Sequence, residues 1–129
     1  MSQSENPPGV KIETFVPEYL SQEVSLEEAR NIYQSLGKAS ASFTWNDCGD
    51  EVLTLSVGED HSTATLLKDR SFCDLVYADN PGEDLIERDG SVVEYPRALI
   101  LPREKGLELL NVLPDFDRLF ESYRWRVQD

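Results

Sequence analysis

The spacing of hydrophobic residues changes near residue 40. Before that point, Leu26, Ala29 and Tyr33 recur at three- and four-residue steps, as on one face of an α-helix. Ser25 is a typical N-cap residue and Gly37 suits the C-terminal cap. The pattern therefore predicts a helix that begins after Ser25 and ends near Gly37.

From Ser40 onward, hydrophobic and polar residues alternate, as in strands with one buried face. Turn-forming residues such as Asp79-Asn80-Pro81-Gly82 and Asp89-Gly90 separate the runs. The predicted runs are 43–45, 53–57, 63–66 and 72–77, with 92–95 and 97–101 closing the sheet and a less apolar segment at 84–88. Their short spacing leaves no room for crossover helices, which indicates antiparallel pairing.

A second helical pattern follows the predicted strands. Pro102 can occupy a first helical turn, and Leu107 and Leu110 begin an apolar stripe. Pro114 interrupts this stripe, and Asp115 can cap a further helix. We therefore predict an α+β fold, a mainly antiparallel strand meander packed on one face by an N-terminal helix and a C-terminal helix or broken helix pair.

The chain has 129 residues, which matches one domain of ordinary size. Residues 1–9 are polar with a Pro-Pro-Gly end, so we predict a flexible tail followed by a single domain at 10–129, with a short strand at 10–16. We find no basic leader and no apolar run long enough to cross a bilayer, so we expect a cytoplasmic protein without a membrane partner. Cys48 and Cys73 are then expected to be free thiols.

The charge is concentrated in one part of the chain. The net charge is −13, and residues 47–95 hold 13 acidic residues against three basic ones. Nucleic-acid binding relies on clustered lysine and arginine, so we expect no nucleic-acid partner. A basic protein is the partner that this charge favours. Acidic turns also have a simpler role, since they keep sheet edges from aggregating.

No residue pattern predicts a reaction, a cofactor or a metal site. The single histidine, His61, lies in a tight turn, where sequence neighbours cannot form a catalytic triad, and we expect it to be exposed. The acidic segment 79–89 lacks the ligand order of a calcium-binding loop. A glycosidase-type carboxylate pair is defined by distance in space, so the sequence leaves it open. The aromatic residues lie on the apolar side of their predicted helices and strands, which favours positions in the core.

The order of elements from Glu51 to Trp125 resembles bacterial immunity proteins of polymorphic toxin systems. The resemblance rests on Leu75-Val76-Tyr77, the glycine-containing acidic turn after it, Val92-Val93-Glu94-Tyr95-Pro96, a hydrophobic strand, a helix and Trp125. It is nearest to the type found beside deaminase toxins. The resemblance implies a protein without enzymatic activity that blocks a cognate toxin.

This resemblance agrees with the charge pattern. A toxin domain that acts on nucleic acid has a basic cleft, which carboxylates can occupy in place of phosphates. We expect the protein to be monomeric before it binds. The predicted contacts are Asp79, Glu83, Asp84, Glu87 and Asp89, with Tyr77 or Tyr95 as aromatic anchors. The alternatives are a small acidic adaptor, a secretion-chaperone-like regulatory protein and, less favoured, a small enzyme with Asp74 or Glu94 in a pocket.

Overall fold

The structure is a computed structural model that describes residues 9–15, 18–46, 51–88 and 91–128, except for the side chain of Glu87. Three predicted features lie outside these residues: the tail apart from Gly9, the 47–50 turn with Cys48, and the Asp89-Gly90 turn.

Nine strands lie within the described residues. They are β1 (Val10–Thr14), β2 (Leu20–Val24), β3 (Ala41–Asn46), β4 (Val52–Val57), β5 (Ser62–Lys68), β6 (Ser71–Leu75), β7 (Glu83–Arg88), β8 (Ser91–Pro96) and β9 (Trp125–Val127). Seven of them form one antiparallel sheet in the order β2-β1-β3-β4-β5-β6-β9, which we call the main sheet. The other two strands, β7 and β8, pair only with each other, and we call them the acidic hairpin.

The strand register places the apolar residues on one face of the main sheet. Phe43 pairs with Leu55, and Leu55 pairs with Ala64. One residue earlier on β3, Ser42 is level with Ser56 and Thr63 on the opposite, polar face. The predicted alternation of apolar and polar residues is confirmed. The expectation of a single buried face is wrong, because Ser42, Ser56 and Thr63 on the polar face are buried as well.

Three helices cover the apolar face. They are α1 (Leu26–Ser35), α2 (Arg103–Val112) and α3 (Phe116–Ser122), with α2 and α3 separated at Pro114. The Ser25 hydroxyl accepts a hydrogen bond from Glu28 N at 3.1 Å, and the Asp115 carboxylate accepts one from Arg118 N at 3.1 Å. Both predicted N-caps are therefore confirmed, because each side chain accepts a hydrogen bond from an otherwise unpaired N–H of a first helical turn.

The core lies between the helices and the main sheet. The ring of Tyr33 on α1 lies 5.2 Å from that of Phe43, and Phe116 on α3 stacks on Trp45 at 5.8 Å between ring centroids. Arg30 donates to the carbonyl oxygens of Leu110 and Leu113 near the end of α2, which joins the helices. The predicted α+β fold, with helices from both ends of the meander on one face, is confirmed.

Three details differ from the prediction. Arg97–Leu99 form a short 3-10 helix instead of a strand, and only Leu101 makes an isolated bridge, with Ser62. The pattern also missed β2 and β9. Strand β2 is exposed along most of its length, and β9 has only three residues whose pairing depends on the distant β6. Neither has the buried alternation that identifies a strand in sequence.

Candidate partner-binding surface

The inner face of the acidic hairpin packs on the polar face of the main sheet. Ile86, Arg88 and Tyr95 share this inner face, because side chains alternate along a strand. Ile86 is buried, and the guanidinium carbon of Arg88 lies 5.1 Å from the centroid of the Tyr95 ring. Burial raises the pKa of Tyr95, whose hydroxyl also interacts with the side chains of Thr63 and Thr65. Tyr95 therefore connects the hairpin to the sheet.

Asp74 is a buried carboxylate on the same polar face. The Thr65 hydroxyl donates to its Oδ1 at 2.9 Å, and the Gln128 side-chain amide donates to the same oxygen at 3.0 Å. The Asp74 carboxylate is thus satisfied by groups of the fold itself. Glu94 alternates onto the outer face of β8, away from Tyr95 and Asp74. The two carboxylates considered for a small enzyme do not converge.

The outer face of the hairpin exposes two apolar side chains among carboxylates. Leu85 is 70% exposed and Val92 is 69% exposed. Glu94 stands opposite Leu85 in the register, and Glu83 is two residues before Leu85 on the same side of β7. Both glutamates are exposed. We call these four residues the outer patch. Arg88, the one basic residue in the two strands, belongs to the inner face.

Two predicted contact residues are already paired with arginines. Asp79 Oδ1 lies 2.9 Å from Arg124 Nη2, and this hydrogen bond lowers the pKa of Asp79. Asp84 Oδ1 accepts a hydrogen bond from Arg97 Nε at 2.8 Å. The charges of both aspartates are partly neutralised, so they offer less to a basic partner than Glu83 does.

Tyr77 lies beyond the end of β6, which stops at Leu75 instead of continuing as predicted. The backbone N–H groups of Val76 and Tyr77 donate to Arg124 O and Ala98 O, at 2.9 and 2.8 Å. The Tyr77 residue is 49% exposed and is not part of the core. It lines an open cleft between the base of the hairpin and the main sheet.

His61 lines the same cleft, and the prediction that it is exposed is wrong. Its side chain is 12% exposed, and its Nδ1 lies 3.0 Å from Asp60 Oδ1. A Cβ at Gly58 would overlap the imidazole ring. The missing side chain of Gly58 therefore leaves the space that the partly buried His61 ring occupies, a contact that the turn sequence does not reveal.

The remaining predicted contacts are only partly described. Glu87 lies opposite Val92 in the register, and its side chain is outside the described set. Asp89 lies outside the described residues. The structure thus brings Glu83 to the outer patch, places Tyr77 and Asp84 at the cleft, leaves Asp79 exposed beside Arg124 and turns Tyr95 inward.

Sequence reasoning missed Leu85, Val92 and Glu94 as surface candidates. The available signal was the Asp89-Gly90 turn, because a two-residue hairpin turn fixes the register. That register pairs Leu85 with Glu94 and Glu87 with Val92. It could not show which face of the hairpin is buried, since that depends on packing against Thr63 and Thr65.

No family model, curated protein or solved structure matches the chain. Within the described residues, none of the helices has the length and apolar character needed to cross a membrane. The same residues contain no group of three or more His, Cys, Asp or Glu side chains placed to hold a metal ion.

Proposed function

We propose that the protein is a cytoplasmic immunity protein that binds a basic bacterial toxin domain, of a class that acts on nucleic acid, and blocks it without catalysing a reaction. The outer patch is the binding surface. The observation that supports this proposal most directly is the exposed pair Leu85 and Val92, flanked by Glu83 and Glu94.

The composition of the outer patch suits a protein interface. Exposed apolar side chains provide anchors that lose water on binding, and the surrounding charges select the partner. Residues 83–96 contain five acidic residues and one basic residue, in a chain with a net charge of −13. Such a field accelerates association with a basic surface and repels nucleic acid.

The hairpin is held at its base by contacts within the fold, which restrict its position before a partner arrives. Arg97 N–H donates to Gly82 O at 3.0 Å, and the Arg97 side chain binds Asp84. These contacts connect the 3-10 helix to the start of β7. A preorganised surface loses less conformational entropy on binding.

Co-expression with the product of the adjacent gene tests the proposal. We expect the wild-type chain to restore growth of cells that express this product and to form a complex with it. Reversing both charges of the outer patch, in Glu83→Lys with Glu94→Lys, should slow association roughly tenfold or more. The matched control, Glu23→Lys with Glu121→Lys, reverses two exposed glutamates outside the outer patch. Its association rate should stay within about twofold of the wild-type rate.

The alternatives give different results in the same experiment. A secretion-chaperone-like adaptor would dimerise and bind an unfolded segment, whereas an immunity protein binds a folded domain as a monomer. Size-exclusion mass and the circular dichroism of the isolated partner separate these cases. Equal loss of protection in the patch and control variants would contradict the assignment of the outer patch.

A further inference from the structure

The cleft at the base of the hairpin has a volume of about 470 Å³, within the usual range for small-ligand sites. Buried Ile86 and Leu101, together with Pro102, give it apolar walls. Asp60, Tyr77 and Asp84 are its exposed polar residues. The cleft thus combines apolar surface, an aromatic ring and a carboxylate.

The charge of this cleft is negative. The Asp60 side chain is 90% exposed, and its partner among the described residues is the His61 ring. Asp84 also lines the cleft, but Arg97 already neutralises part of its charge. No lysine or arginine of the described residues lines the cleft. Asp60 therefore has a charge available to an incoming cation.

We propose that this cleft binds an arginine or lysine side chain of the partner. The aliphatic part of such a side chain would lie on Ile86 and Pro102, as long basic side chains commonly do on apolar surfaces. Its cationic group would meet Asp60 and the ring of Tyr77. An anionic ligand would be repelled by the same carboxylates. This inference rests on the proposed function, because it takes the partner to be a basic protein.

The cleft adjoins the outer patch, so one partner surface can reach both. Leu85 lines the cleft and also belongs to the outer patch. A basic side chain next to the apolar surface that covers Leu85 would therefore enter the cleft. The inserted side chain would fix the orientation of the partner, which the outer patch alone does not determine.

A model compound tests this site without the partner. The probe is N-acetyl-arginine methylamide, titrated into the ¹⁵N-labelled full chain and followed by NMR. We expect concentration-dependent shifts at Asp60, His61, Tyr77 and Leu85, with weak, saturable binding. The corresponding citrulline amide has nearly the same shape without the charge. If it bound equally well at these residues, the inference would be overturned.

Two variants locate the interaction. Asp60→Asn and Tyr77→Ala should each weaken binding of the arginine probe by about threefold, as expected for exposed ionic and cation–π contacts. The control Glu121→Gln removes an exposed carboxylate from α3 and should not change binding. Unchanged binding in Asp60→Asn would also overturn the inference. Spectra of the free variants verify that the fold is intact.

The two proposals fail in different ways. If the arginine probe does not bind, but the wild-type chain still protects cells and this protection depends on the outer patch, only the cleft inference is rejected. Saturable probe binding that depends on Asp60, without protection in co-expressing cells, would support the cleft as a cation site and reject the immunity function.

Discussion

The hydroxyl of Tyr33 on α1 lies directly against Gly106 on α2. It donates a hydrogen bond to the carbonyl oxygen of Arg103, one turn before the glycine. A Cβ at Gly106 would overlap this hydroxyl and lie 3.0 Å from the tyrosine Cζ. The glycine therefore permits the close approach of the two helices.

Replacing Gly106 with alanine should destabilise the protein, although alanine is the better helix former. The gain in helix propensity is about 1 kcal/mol. Overpacking against Tyr33 and weakening of its hydrogen bond to Arg103 should cost about 2–3 kcal/mol, so the net change is a loss. Urea denaturation of Gly106→Ala measures this loss.

The Tyr33→Phe background separates the two effects. Removing the hydroxyl leaves the tyrosine ring atoms near Gly106 but relieves the closest overlap. Gly106→Ala should therefore cost less in this background than in the wild type. An equal cost in both backgrounds would show that the Tyr33 hydroxyl is not the cause.

Leu85 and Val92 should matter for binding but not for folding. Both are exposed, so Leu85→Ala and Val92→Ala should change the free energy of unfolding by less than about 0.5 kcal/mol. If they anchor the partner, each should weaken the complex by more than about 1 kcal/mol. Calorimetric titration with the partner measures the second effect.

Leu20 provides a matched control for these anchors. It is 59% exposed and lies on β2, at one edge of the main sheet. Leu20→Ala should leave the affinity for the partner unchanged. A loss of affinity as large as that of Leu85→Ala would point to a different surface.

Neutralising Asp79 should affect the partner less than neutralising Glu83. Arg124 already pairs with Asp79, whereas Glu83 is exposed on the outer patch. We expect Glu83→Gln to weaken binding about threefold and Asp79→Asn to change it less. In Arg124→Gln, the pKa of Asp79 should rise toward its ordinary value, and its released charge should make Asp79→Asn more harmful to binding. An equal effect of Asp79→Asn on binding with and without Arg124 would contradict this explanation.

Tyr123 and Glu108 should give the stability a dependence on pH at both extremes. The hydrogen bond from Tyr123, and then the one from Lys105, lower the pKa of Glu108. Burial, followed by the hydrogen bond to Glu108, raises the pKa of Tyr123 to about 12. The stabilisation from Glu108 is present above the ordinary glutamate pKa and is lost as the pH falls through the lowered value. That from Tyr123 is present below about pH 10 and is lost as the pH rises toward 12.

The Tyr123→Phe variant tests the pH dependence in both acid and alkali. It should reduce the free energy of unfolding at neutral pH by less than about 1 kcal/mol, because the Glu108 carboxylate is half exposed to solvent. The difference from wild type should shrink in acid and in alkali, as measured by urea denaturation across the pH range. An NMR titration should show the pKa of Glu108 closer to its ordinary value in the variant. A constant difference at every pH would exclude the hydrogen bond as the source.

The sequence predicted the features that depend on neighbouring residues. Ser25 and Asp115 cap helices through N–H groups three residues away, so local spacing was sufficient. The alternation of apolar and polar residues that predicts β3 to β6 is also a local pattern. Strand β9, by contrast, exists because Trp125 meets Leu75 across the sheet, which no local pattern contains.

The acidic surface could be predicted only in part, because some of its features depend on contacts between residues that are distant in sequence. Its acidic character follows from composition, but the inward turn of Tyr95 depends on Thr63 and Thr65, which precede it by three strands. Asp79 pairs with Arg124, which is distant in sequence. The sequence therefore does not show that the charge of Asp79 is less available to a partner than that of a carboxylate without such a pairing.

The separate pairing of β7 and β8 has a consequence for how such a protein diversifies. Substitutions on the outer patch leave the hydrogen-bond register of the main sheet unchanged, because the described strands of the hairpin pair only with each other. Related chains could therefore differ at the outer patch and bind different partners while they keep the same inner face and the same seven-stranded sheet. Selection for recognition and selection for folding would then act on different residues of one chain.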